Sequence, residues 1–405
     1  MKRIALALAL VAASGLVALA ALSTPPTLLP TGRSIDAPAG AVEAVGTLPE
    51  GLALTPDGAR LLVVEGGYKP PALRVLDART LAELGVVALK GAYGIPLVDP
   101  DGRGAWIAGA NADALVHVDL AKNAVDRTIE LAAGCWPAAV ARIDAKTLAA
   151  ACESAAQVAL VDEAPGTLLA AAAVGRHPSA LVVAPDRKTL FASAWGERAV
   201  DAVDLASRKV VRQIQVGTHP EALALAPDGN HLYVANADDD SLSIVDLRAP
   251  SATPPSVVEL RLDEGSLTGN SPNALAVAPD GRRLYVAAGA ANAVYVLAIG
   301  PEASLRRIGA VPSGWYPTAV AATPQTLYVA NGYGEGSHSD AAFAPLRARD
   351  PNYIGAITIG SIRTTTIPDD AHAAAGDARV RHLAGGVPLR DDPVVRPHGP
   401  IEHVI

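Results

Sequence analysis

Hydrophobic positions in this chain fall in short blocks of four to six, and helical stripes are lacking after the first two dozen residues. Ala222–Ala226, Leu232–Asn236 and Leu242–Leu247 are successive examples. Pro-Asp-Gly separates the first pair of blocks and the polar run Asp238–Ser241 the second. Short blocks with β-branched residues, bounded by turn formers, predict β-strands. In blocks such as Leu181–Ala184 the apolar residues run on without alternation, so both faces of those strands are expected to be covered. No convincing long amphipathic helix is predicted after the N-terminal apolar run.

The blocks recur as a unit. Thr218–Asn236 reads T-H-P-E-A-L-A-L-A-P-D-G-N-H-L-Y-V-A-N, and Asn270–Ala288 reads N-S-P-N-A-L-A-V-A-P-D-G-R-R-L-Y-V-A-A. Intact Pro-Asp-Gly turns begin at Pro56, Pro100, Pro227 and Pro279, and degenerate copies at Ile143, Pro185 and Pro324. Successive anchors are 44, 43, 42, 42, 52 and 45 residues apart. Seven units near 40–45 residues match the length of a four-stranded propeller blade. The fold class expected is therefore all-β, a seven-bladed β-propeller over residues 32–367. The long step is ascribed to an insertion, Ala249 to Ser266. The strands of the fifth unit are placed at Ala222–Ala226, Leu232–Asn236 and Leu242–Leu247, with Val210–Val216 or its equivalent as the fourth. Ala41–Val45 is expected to supply the outer strand of the last blade, Trp315–Ile367, and so close the ring.

The ends carry other signals. Met1-Lys2-Arg3 followed by an apolar run from Ile4 to Leu22 and small residues reads as a signal peptide over 1–23, implying a periplasmic or secreted protein that leaves the membrane once the leader is cleaved. Ser23–Ala39 reads as a flexible lead-in and residues 368–399 as a linker. Export gives the two cysteines meaning. Aligned on the repeat, Cys135 precedes a first strand and Cys152 ends the paired second strand, so a disulfide is expected between them, with two free thiols as the alternative. The formal net charge is −8 without a basic run, which gives nucleic acid no electrostatic footprint.

The strand ends Tyr233–Asn236 and Tyr328–Asn331, with their Pro-Asp-Gly turns, resemble the YVTN-type, or YncE-like, seven-bladed propellers. A second resemblance lies in Ser313–Ala319, Leu327–Gly332, Tyr353–Gly355 and Gly399–Ile405. This order is similar to exported bacterial proteins that join a YncE-like propeller to a C-terminal phosphoesterase of the alkaline-phosphatase superfamily. The resemblance implies that 400–405 begins a phosphoesterase-like domain whose metal ligands and nucleophile lie downstream of this chain. It also implies a phosphoesterase partner, in cis or in trans.

Candidate chemistry is sought where the repeat varies. The residue before the first-strand proline is Leu48, Trp136, His177, His219, Ser271 or Tyr316; the second strand ends in Glu65, Gly109, Cys152, Ala194, Asn236, Ala288 or Asn331. Both sets are expected near one mouth of the central channel. Glu65, Trp136, His177, His219, Asn236, Trp315, Tyr316 and Asn331 are thus candidate ligand-binding residues. The alternative is that they only cap strand ends and line a wet channel. A lactonase would need Glu65, His177 and His219 to converge, which their blades one, four and five make doubtful. His177 and His219 are also the only candidates for an axial haem ligand, though lone histidines in a polar channel usually bond solvent. Asp238-Asp239-Asp240 is read as a solvated hairpin tip in preference to a calcium site, and Gly332–Ser339 as a loop in preference to a phosphate cradle. No catalytic residue, metal or cofactor is expected. The function read from the sequence is an exported binding or interaction module for a small-molecule or cell-envelope ligand; the alternative is a stand-alone periplasmic lactonase-type hydrolase using the channel.

Overall fold

Why the blades form is visible at one turn. Between the first two strands of blade one, Pro49–Leu54 and Arg60–Glu65, the Asp57 carboxylate accepts from Thr55 Oγ1 at 2.6 Å and from the Ala59 amide at 3.0 Å. Gly58 takes the left-handed φ of +69° that completes the turn, as Gly102, Gly229 and Gly281 do in their copies. In the degenerate copy of blade four Arg187 sits at φ 55°, so the turn survives without its glycine at a cost of about 1 kcal/mol.

The computed structural model describes residues 25–36, 39–250, 252–262, 269–336 and 358–385. Seven four-stranded antiparallel sheets stand in a ring. The first strands touch in sequence around the axis, and the last of them, Pro317–Ala322, meets Pro49–Leu54. Second and third strands are sandwiched between neighbouring blades. Leu61, Leu62, Val63 and Val64 have no exposed surface on either strand face, which is why the apolar blocks do not alternate. Ring closure follows the expectation: Val42–Ala44 pairs antiparallel with Ser361–Thr366 as the outer strand of blade seven.

Four expectations are corrected. The segment assigned as the fourth strand of the fifth unit belongs to blade four, as Lys209–Gln215; blade five is completed by Ser256–Glu259, inside the presumed insertion. Each outer strand except the last thus follows its third strand in sequence, because a hairpin return is the shortest antiparallel connection. The lead-in is ordered between residues 25 and 36. Thr27–Leu28 pairs with Ser34–Ile35, and Leu29 and Ile35 are buried. The stretch read as a linker holds a helix, α1 (Asp370–Leu383), and the expectation of no helix past the leader falls with it. Asp369 caps it by accepting from the His372 amide at 2.8 Å. It lies along the outer strand of blade six, Leu305–Pro312, and covers that edge. Gly309 and Gly376 allow the approach: a Cβ on either would lie within 2.1 Å of the facing carbonyl oxygen. Only Ala373, Val380 and Leu383 of α1 are buried, too sparse a stripe to read as amphipathic. Finally, the Asp238–Asp240 tip is not simply solvated. Asp240 is fully buried and accepts from the amides of Gly269 and Asn270 at 2.8 and 2.7 Å, latching the loop that enters blade six. The leader over 1–23, Tyr353–Gly355, and 400–405 lie outside the described residues, among which no helix is long and apolar enough to cross a membrane.

Cys135 and Cys152 are joined, with Cα atoms 4.4 Å apart and a sequence separation of 17. A loop of that length contributes about 3 kcal/mol when cross-linked. Replacing both cysteines by serine is therefore expected to lower stability by about that amount in a denaturant titration, and the denatured, unreduced protein should show no free thiol. Finding two thiols would refute the bridge.

Candidate functional site

The seven first strands run along the axis and enclose a cavity of about 590 Å³. Its wall repeats one register position. The residue directly after the strand's opening proline (Tyr93 in blade two) is Glu50, Gly94, Ala138, Ser179, Glu221, Asn273 or Thr318, and all seven line the cavity. Strand pleat sends this position toward the axis in every blade. Three of the polar members stitch their blade to the next. Ser179 Oγ donates to the Pro220 carbonyl at 3.3 Å, Asn273 Nδ2 to the Pro317 carbonyl at 3.0 Å, and Thr318 Oγ1 to the Pro49 carbonyl.

Ionised Glu50 and Glu221 have nothing to donate. Glu50 makes no hydrogen bond or ion pair within the described residues, and its Oε2 is buried without a partner. The side chain borders the cavity, which is partly open to solvent, while its Oε2 is packed away from that opening. This burial, with the Glu221 charge in the same cavity, pushes the Glu50 carboxyl up to about 8. Burial also raises Glu221; a hydrogen bond from the Trp195 indole and the nearby His219 oppose the rise. Tyr93, on the same wall, is raised by burial and then by the two glutamates. Among the described residues the lining includes Glu50, Glu221 and Asp238 and no lysine or arginine.

The sequence candidates separate into two groups. The residues before the first-strand proline form a rim of left-handed residues: Leu48, Trp136, His177, His219, Ser271 and Tyr316 have φ between 47° and 60°. Three aromatic groupings stand there. Trp195 stacks on His219 with centroids 3.7 Å apart and meets His177 edge-on at 6.1 Å. Tyr93 packs on Trp136 at 5.1 Å. Tyr333 contacts Trp315 and Tyr316 at 5.0 and 5.3 Å. Each histidine is held by a carboxylate, His177 Nδ1 by Glu153 at 2.5 Å and His219 Nδ1 by Asp238 at 2.6 Å. Of the eight candidates, Tyr316 alone lines the cavity itself.

Glu65, Asn236 and Asn331 form the second group, and they are buried inside their own blades. Each pins the loop that leads into its blade. Glu65 Oε1 accepts from the Gly46 amide at 2.9 Å, Asn236 Oδ1 from the Gly217 amide at 3.1 Å, and Asn331 Oδ1 from Ser313 Oγ at 2.7 Å. Glu65 is also paired with Arg74. The structure therefore does not bring Glu65 to His177 and His219. Among the described residues no group of three or more His, Cys, Asp and Glu could hold a metal ion. Glu50 and Glu221 were the residues missed. Their signal was present in the slot after the proline, where E, S, E, N and T recur in an otherwise apolar strand.

No family model and no curated protein matches the chain. Solved structures do. One is hydrazine synthase of Kuenenia stuttgartiensis, with a TM-score of 0.61 and 22% identity over 71% of this chain and 94% of that one. Two others are each described as a "putative 6-phosphogluconolactonase". The Bacteroides fragilis protein has a TM-score of 0.56 and 18% identity over 67% of this chain and 86% of its own; the Bacteroides uniformis protein has the same score and identity over 67% and 89%. The chain is a seven-bladed β-propeller. At these identities the likeness extends to the fold alone, so the propeller's function has to be argued from its channel.

Proposed function

We propose that this propeller is an exported binding module whose axial channel takes a small ligand, and that it works with a phosphoesterase domain, in cis or in trans, as the resemblance of its last blade implies. The observation that carries the reading is the axial cavity walled by Glu50, Glu221 and aromatic rings, with a carboxylate oxygen that no group among the described residues satisfies. Concave sites with a few converging polar groups are where ligands bind.

The lactonase-named neighbours favour a second reading, hydrolysis in the same channel. Two features weigh against it. A phosphorylated lactone would enter a wall whose described residues include three acidic side chains and no lysine or arginine. The residues that would activate water, Glu65, His177 and His219, do not converge. The full chain is expected to leave δ-gluconolactone and 6-phosphogluconolactone hydrolysing at the buffer rate in a pH-stat. Turnover that disappears in Glu221→Gln would replace the binding reading with the hydrolytic one.

A further inference from the structure

Ligand class follows from what the channel wall offers and what it lacks. We propose that the cavity binds an organic ammonium, a protonated primary or secondary amine with a small apolar body, seated between Glu50 and Glu221 with its carbons against Tyr93, Trp195 and Tyr316; this rests on the binding-module reading above.

Three independent observations point the same way. Charge is the first. Glu50, Glu221 and Asp238 line the cavity and, among the described residues, no lysine or arginine does, so a guest cation meets only side chains that carry or can take a negative charge. The second is the donor and acceptor count. Ser179 and Thr318 direct their hydroxyl donors, and Asn273 one of its two N–H donors, to carbonyls of the neighbouring blade. Glu50 Oε2 and Asn273 Oδ1 have no partner, and both lie just beneath the wall's accessible surface, so a guest reaches them only when those side chains turn toward it. Ionised Glu50 has no counter-ion among the described residues, and an ammonium supplies both a counter-charge and a donor. An anion, or a ligand with acceptors only, would add to the excess. The third is the aromatic wall. Tyr93, Trp195 and Tyr316 present ring surface beside the carboxylates, an arrangement that attracts cations and covers the adjoining methylenes. A hydrated metal ion would leave that surface unused, and the described residues contain no cluster of metal ligands. The cavity, at about 590 Å³, suits a molecule of several to a dozen or so heavy atoms.

Glu50 also supplies a signature that a nonspecific site lacks. Its carboxyl holds a proton up to about pH 8. An ammonium that binds the ionised form must expel that proton, so affinity rises with pH by up to about tenfold per unit below 8 and then levels off. Simple amines stay protonated through this range, since their pKa is like that of lysine.

The test is calorimetry on the full chain with benzylamine, 1,4-diaminobutane and spermidine, at pH 6.5 and 7.5 and in two buffers of different ionisation enthalpy, with Trp195 and Trp136 fluorescence as a second readout. Benzyl alcohol, benzoate and calcium chloride are the controls. At least one amine is expected to bind, about tenfold more tightly at pH 7.5, with proton release to the buffer. Glu50→Gln and Glu221→Gln, each first shown to melt cooperatively, should weaken it at least tenfold. Benzyl alcohol binding as well as benzylamine would overturn the ammonium assignment and leave the binding module standing. Calcium binding that excludes the amines would do the same. If no amine binds, the ammonium proposal fails whatever the controls do, and the binding-module reading is decided separately by the lactone test above.

Discussion

Deleting residues 25–46 is expected to lower the melting temperature by on the order of 10 °C or more, or to abolish cooperative melting altogether. Val42–Ala44 is the outer strand of blade seven, so its loss uncovers the whole edge of Ser361–Thr366. Several buried groups lose partners at the same time. Glu65 loses the Gly46 amide, and Arg363 loses the Asp36 carbonyl it donates to at 2.8 Å. Arg379 of α1 loses its ion pair with Asp36, and the buried Leu29 and Ile35 disappear. A single substitution separates the ladder from the rest. The Val45 amide donates to the Gly360 carbonyl and the Thr364 amide to the Ala41 carbonyl, both at 2.9 Å. Alternation along an antiparallel pair places the intervening donor on Glu43. Glu43→Pro should therefore cost a few kcal/mol while leaving every side chain of the hairpin in place. Calorimetric melts of both variants that coincide with the parent would show that the ring is not closed by this strand.

Glu50→Gln is expected to stabilise the protein, and to do so more as pH rises. The Glu50 pKa in the folded state, about 8, lies above its ordinary value of 4.5. Below 4.5 the carboxyl is neutral in both folded and unfolded chains and its titration has no effect. Between 4.5 and 8 the unfolded chain ionises while the folded chain holds its proton, so stability falls steadily with pH. Above 8 the loss levels off. The shift sets a ceiling on the order of 5 kcal/mol, and water in the channel reduces it. Glutamine keeps the shape and removes the titration. Melts without added amine should give nearly equal temperatures for parent and variant at pH 4.5, and a variant ahead by several degrees at pH 8.5. An equal difference at both pH values would mean that Glu50 titrates as a solvated carboxylate, and the account of a buried carboxyl would fail with it.

How far the sequence could be read depended on how local the physics was. Pro-Asp-Gly marked each first turn because the turn is built from its own residues, an aspartate accepting from the next amides and a glycine at positive φ. Seven anchors and their spacing were enough for the number of blades, and Ala41–Val45 for the closing strand. Helix α1 escaped notice because three buried residues on one face make no stripe; its place depends on the carbonyls of blade six and on Gly309 and Gly376, far apart in the chain. Strand-end position alone places Glu65, Asn236 and Asn331 at the channel mouth. Whether a strand-end side chain turns to the lumen or back into its blade depends on the loop opposite, and here Gly46, Gly217 and Ser313 present groups that hold all three inside.

By itself the sequence determined a ring of seven four-stranded units, since period, turn chemistry and apolar blocks are properties of neighbours in the chain. Only the tertiary structure decided the site. Glu50 and Glu221 belong to blades one and five, and nothing local relates them. Closing the ring directs the residue after each opening proline to a common axis, where two carboxyl groups share one cavity and Glu50 is left without a partner among the described residues.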